Sequence, residues 1–176
     1  MDRRRIVIAA LLLLAPYSGR ASAQAAGGER EPAAILELGA AAERGVKGGP
    51  VGAGPSLAAE FTPIEGWLEI EGGVAPLFSR GQTEWDFDLL FKKPFTLSRR
   101  VEIMVGAGPS LSHVVANGRT SDDAGLEAAL DVMVWPWRGR RVGWYVEPSI
   151  GRSFAAGHEG AVGISGGILI PIGRHG

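Results

Sequence analysis

The chain contains no cysteine. Disulfide staples, thiolate nucleophiles and cysteine-bound metals are therefore excluded, and the fold must rest on packing and backbone hydrogen bonds. Histidine is scarce, at three residues, whereas a zinc site needs three or four converging ligands. No charge of one sign dominates, because 18 Lys plus Arg face 19 Asp plus Glu. Without a concentrated basic surface, nucleic acid is not an expected partner. Long apolar runs are missing too. The longest, Ile6 to Ala15, is about half of the ~20 residues that a membrane-spanning helix requires. No segment carries a helical period over the 10 to 12 residues that would identify a helix.

What the sequence does have begins at its first residues. Asp2 is followed by Arg3, Arg4 and Arg5, then by the apolar run, then by Ala21-Ser22-Ala23. A positive region, a short apolar segment and a small-x-small site make a secretory signal peptide over residues 1–23. Its removal takes away Asp2 and four arginines and leaves 14 Lys plus Arg against 18 Asp plus Glu, a formal charge of −4. Residues 24–34 are small and polar and are expected to form a flexible lead. A single domain is expected over 35–172, with 173–176 as a tail.

The domain is punctuated by many of the chain's 27 glycines, and between its turns it alternates with period two. Eight such segments are present: Ile35 to Arg44, Val51 to Phe61, Trp67 to Phe78, Glu84 to Phe91, Val101 to Val115, Leu126 to Trp135, Val142 to Phe154 and Ala161 to Ile172. The alanines of the first leave helix as a competitor there. The fourth is unambiguous, because Trp85, Phe87, Leu89 and Phe91 alternate with Glu84, Asp86, Asp88 and Leu90. A strand gathers those four on one side, whereas a helix would scatter them. One stretch occurs twice, as Val51-Gly-Ala-Gly-Pro-Ser-Leu57 and Val105-Gly-Ala-Gly-Pro-Ser-Leu111. Neither copy continues into the Gly-Lys-Ser/Thr of a nucleotide loop. Glycines that relieve crowding inside a small barrel are the better account.

The polar faces of these segments combine Gly, Ala and Ser with Glu37, Glu43, Glu60, Glu69, Glu71, Glu84, Asp86, Asp88, Glu102, Glu127, Asp131 and Glu147, and are almost bare of lysine. Small residues plus carboxylates suit a narrow lumen better than a solvated sheet face. The fold expected is all-β, an eight-stranded antiparallel up-and-down barrel with apolar side chains outward. Arg44, Lys92, Arg100 and Arg152 are the basic residues available to reach inward from strand ends. Connections at 45–50, 79–83, 116–125 and 155–160 are expected on the external side, the third as the longest irregular stretch. Those at 62–66, 92–100 and 136–141 are expected to face the periplasm. Phe61, Trp67, Phe91, Phe95, Trp135, Trp137 and Trp144 gather near that second rim, where headgroup-level aromatics are favoured.

On these residues the chain resembles small Gram-negative outer-membrane β-barrels, the eight-stranded porin-like and OmpA-like group, at the level of pattern and without a unique motif. The resemblance implies an outer-membrane location, with periplasm or secretion as the runner-up. It implies no particular substrate, since such barrels serve as anchors, adhesins, lipid-modifying enzymes and narrow channels. The leading expectation is a non-enzymatic envelope barrel, monomeric, without cofactor or metal, in contact with outer-membrane lipid and free to bind an extracellular or small-molecule ligand. A small-ligand container or narrow channel is the alternative, and a lipid-modifying hydrolase the second alternative.

Candidate ligand or ion residues in the lumen are Glu84, Asp86, Asp88, Glu102 and Glu147. The first three project from one strand face and would attract a cation, calcium being suitable, although an ionised lining bonded to water and arginine explains them more simply. At the loops and rim the candidates are His113, His158 and Glu159. Some barrels of this kind that deacylate lipopolysaccharide use His, Ser and Glu on the lipid-facing surface. His113 lies on the outward face, but its neighbour Ser112 points inward, so the two fail as a dyad.

Overall fold

The structure, a computed structural model, describes residues 32–137, 141–155 and 159–173. The expected signal peptide over 1–23, His158 and the expected tail from Arg174 lie outside the described residues. Eight strands are present: β1 (Ala34–Gly45), β2 (Gly52–Ile64), β3 (Leu68–Ser79), β4 (Gln82–Thr96), β5 (Val101–Ala116), β6 (Arg119–Val134), β7 (Gly143–Ser153) and β8 (Gly160–Ile172). Each pairs antiparallel with its sequence neighbour, and β8 returns to β1 from Ala34↔Ile172 to Gly45↔Ala161, which closes the barrel. Closure leaves no unpaired sheet edge around the wall. The alanine-rich first segment is a strand, because it supplies the seam on which both β2 and β8 pair.

The alternation predicts the direction of the side chains. Trp85, Phe87, Leu89 and Phe91 point outward and are 42% to 46% exposed, whereas Leu90 and Lys92 between and beyond them are buried at 1%. Burial follows the same period along β5, where Glu102, Met104, Gly106 and Gly108 are buried and Val105, Ala107 and Pro109 are not. The greasy face is thus the outer one, and the acids and glycines fill the cylinder.

Three expectations need correction. Residues 116–125 are not an irregular loop. β5 and β6 run to a two-residue turn at Asn117 (φ 51°) and Gly118 (φ 72°), and the pairing continues to Ala116↔Arg119. Two consecutive left-handed residues match the twist of a tight hairpin, for which Asn-Gly is the favoured pair. The polar run Arg119 to Asp123 concealed the strand because this hairpin rises past the apolar belt, where neither face needs to be greasy. Similarly, β4 does not stop at Phe91 but continues to Thr96, with Lys92 and Pro94 turned inward. Loop length therefore does not distinguish the two ends of the barrel.

The third correction concerns Trp135. Phe61, Trp67, Phe91, Phe95, Trp137 and Trp144 are outward and 46% to 59% exposed, but Trp135 is 1% exposed. Its backbone N–H donates to the Arg100 carbonyl at 2.7 Å, which draws the chain across the mouth. Trp135 packs with Ile35, Met104, Met133, Tyr145 and Leu169 into an apolar cluster. These residues sit at the rim where β1 begins and β8 ends, so that end of the cylinder is closed.

Candidate functional site

The interior falls into layers, each set by strand register. Above the apolar plug lies an ionic layer drawn from six strands: Glu37 on β1, Glu60 on β2, Glu71 on β3, Lys92 on β4, Asp131 on β6 and Glu147 on β7. Glu37, Glu60, Glu71, Lys92 and Asp131 are all buried. Lys92 Nζ donates to Glu71 Oε2 at 2.5 Å and to Glu147 Oε2, and lies 3.6 Å from Asp131 Oδ2. Lys92 finds room because its partner on β5 is Gly106, where a Cβ would lie 2.5 Å from Lys92 Cγ. That glycine belongs to the second copy of the repeated Val-Gly-Ala-Gly-Pro-Ser-Leu stretch, so one structural purpose of that copy is to seat the lysine.

Over this layer is a cavity of about 80 Å³ that touches Glu37, Asp88, Glu127, Tyr145 and Glu147. Tyr145 Oη lies 3.4 Å from Ser56 Oγ on the far wall. Above it the barrel opens into a cup of about 390 Å³, lined among others by Glu43, Glu84, Asp86, Glu127 and Asp123. Glu43, Glu84 and Asp86 each offer an oxygen within 4.8 Å of the others. Gln82 Nε2 donates to Glu84 at 3.5 Å, and Ser153 Oγ donates to Asp123. The result is an acid-lined well, open at one end and stopped at the other by Trp135 and its neighbours.

The lumenal candidates are divided among these layers. Glu84 and Asp86 line the cup, Asp88 reaches the small cavity, and Glu147 joins Lys92. Glu102 belongs elsewhere: it is buried opposite Thr96 and Met133, toward the closed end. Glu159 stands exposed at the rim, where its carbonyl accepts from the Ser153 N–H at 2.9 Å. His113 faces outward as expected, and its Nδ1 pairs with Asp122 at 2.5 Å. Of the four basic residues available to reach inward, Lys92 is the one buried inside. Arg44, Arg100 and Arg152 are exposed, with Arg44 and Arg152 at the mouth of the cup; long side chains at strand ends reach water more cheaply than a desolvated lumen. The residues overlooked as a site are Glu37, Glu60, Glu71 and Asp131 around Lys92. Their common signal is a carboxylate within the end of the strand nearest the closed rim. Which of them meet depends on register.

No protein-family model matches the chain, and no curated protein matches its sequence. Its fold is similar to that of Neisserial surface protein A, with a TM-score of 0.66 and 14% identity over 80% of this chain and 97% of that one. Ail, the attachment invasion locus protein of Yersinia pestis, gives a TM-score of 0.50 and 15% identity over 80% and 99%. The N-terminal β-barrel domain of Pseudomonas aeruginosa OprF gives 0.50 and 11% over 79% and 98%. At these identities the likeness is one of fold: the closed eight-stranded barrel found in outer-membrane proteins.

Proposed function

We propose that the chain is a non-enzymatic barrel of the Gram-negative outer membrane, one that presents an acid-lined cup to the outside. The observation that carries this reading is the inverted polarity. The outward stripe Trp85, Phe87, Leu89 and Phe91 is exposed together with Leu57, Leu111, Leu126, Ile150 and Ile164, while charged side chains occupy the interior. In water so continuous an apolar surface would drive aggregation. In a bilayer it is the favourable side, and the aromatic girdle Phe61, Trp67, Phe95, Trp137 and Trp144 sits where headgroups meet acyl chains. The signal sequence at residues 1–23 supplies the export such a location demands.

Placing the chain termini in the periplasm turns the plugged end inward and the cup outward. A plugged end argues against a channel. A container is the second reading, favoured by the cup itself, and its acidic lining selects a small cationic or polar guest. Ail has been solved with the heparin analogue sucrose octasulfate, a polyanion that the acidic lining of this cup would repel. Catalysis is not part of the proposal: His113 is engaged by Asp122, and its sequence neighbour Ser112 faces Asp86 across the inside of the wall. The test is fractionation of an expressing Gram-negative cell. Recovery with the outer membrane, and faster gel migration unboiled than boiled, is the expected outcome. Recovery in the soluble periplasmic fraction alone would overturn the reading.

A further inference from the structure

The ionic layer contains more carboxylate than its one lysine can serve. Glu60 and Glu71 stand directly opposite each other on β2 and β3, a placement that destabilises a strand pair when both are charged. They are 3% exposed each, and Glu37 and Asp131 are 1% and 0%, so water does not screen them. One oxygen from each of Glu37, Glu60, Glu71 and Asp131 lies within 4.8 Å of the others. Lys92 engages Glu71, Glu147 and Asp131. Glu37 Oε1, Glu60 Oε2 and Asp131 Oδ1 have no hydrogen-bond partner among the described residues. Three nearly inaccessible carboxylates of this four-membered cluster, Glu37, Glu60 and Asp131, thus keep buried oxygens without a partner.

We propose that Glu37, Glu60, Glu71 and Asp131 form a calcium site beside Lys92, loaded from the open end of the barrel. Oxygen-only donors select a hard cation. Calcium–oxygen bonds of 2.3–2.6 Å place opposite ligands up to about 5 Å apart, so four oxygens all within 4.8 Å of one another can share one ion. Magnesium demands near-ideal octahedral geometry and gives up its water reluctantly, so an all-protein carboxylate cage suits it less. The 80 Å³ cavity above the site adjoins the open cup, with which it shares Glu43, Asp86 and Glu127 in its lining. Carboxylates lining the whole descent concentrate cations toward the bottom. The apolar plug prevents passage further, so the ion is held and not transported. Lys92 acts as the resident counter-charge, which tempers the affinity and keeps the layer together when calcium is scarce.

The test uses the full chain folded in zwitterionic detergent without lipopolysaccharide, so that no lipid phosphate competes. Calorimetric titration with calcium should show one saturable site, with magnesium at least about tenfold weaker. Terbium should bind in calcium's place with luminescence sensitised by Tyr145, which shares the cavity with Glu37, and calcium should quench it. Glu37→Gln and Glu60→Gln should each weaken calcium by more than about tenfold, while Asp122→Asn on the outer surface should not. Should the glutamine variants fail to fold, Lys92→Gln decides: it is expected to give the heat-modifiable form only when calcium is supplied. Absence of saturable calcium binding in the wild-type barrel, undiminished binding in both glutamine variants, or folding of Lys92→Gln indifferent to calcium would each overturn the site. Because the site is interior, these outcomes stand apart from whether the chain fractionates with the outer membrane.

Discussion

Replacing Phe87 by arginine separates a lipid-facing wall from a water-facing one. Phe87 is 43% exposed and sits mid-stripe on β4, flanked on the outer surface by Val74 of β3 and Leu111 of β5. Trp85 to Phe91 spans six residue steps, about 20 Å along a strand rising ~3.3 Å per residue. A strand tilt of about 40° turns this into roughly 15 Å of membrane depth, which places Phe87 well inside a ~25 Å apolar band. On a solvated sheet, an exposed Phe→Arg change would fall within about 0.5 kcal/mol of wild type. In a bilayer, an arginine near the midplane costs about 2–4 kcal/mol. Urea unfolding of the barrel in phospholipid vesicles, followed by tryptophan fluorescence and by the heat-modifiable gel shift, resolves that difference. Leu90→Ala is the internal reference. Its side chain is 1% exposed inside the lumen, so it should lose about 2–5 kcal/mol whichever solvent surrounds the wall. If Phe87→Arg unfolds with wild-type stability while Leu90→Ala is strongly weakened, the inverted-polarity reasoning is refuted.

Other expectations concern the interior and the rim. Gly106→Ala would set a methyl 2.5 Å from Lys92 Cγ and 2.9 Å from the Phe91 carbonyl; overpacking should cost about 1–3 kcal/mol. Gly72→Ala, whose added methyl meets nothing nearer than 4.0 Å, should be tolerated, and equal destabilisation by both would contradict the seating of Lys92. In planar bilayers the wild-type barrel should add no steady conductance, since Trp135, Met104, Met133 and Leu169 stop one end; sustained single-channel openings would show that the plug yields. His113→Ala removes a pair whose side chains are 38% and 71% exposed. Its stability should change by less than about 1 kcal/mol, and the lipid A of expressing cells should keep its mass spectrum. A change in acylation that depends on His113 would reopen the hydrolase reading.

Strand number and facing were legible because a strand exposes its chemistry at every second residue. Glu84, Asp86 and Asp88 against Trp85, Phe87 and Leu89 can be satisfied by only one backbone period. Legibility failed where that contrast vanished. Arg119 to Asp123 is polar on both faces, since the hairpin stands above the belt, and residues 92 to 96 place two lysines and a proline where a turn is the natural reading. Trp135 resembled its neighbours Trp137 and Trp144, which do join the girdle. Only the turn of the chain across the rim sends it inward.

The sequence by itself determined the period, the count of strands and which side chains share the inside, because these follow from the local geometry of an extended chain. The heights at which those side chains meet were decided by the closed structure. Each strand is offset from the next, so Glu37, Glu60, Glu71, Lys92, Asp131 and Glu147, scattered over more than a hundred residues, reach one layer only once β8 has paired with β1. The same closure divides the acids between an open cup and a buried layer, and sets the plug beneath them. Such relations exist across the lumen, between residues far apart along the chain, and no local pattern encodes them.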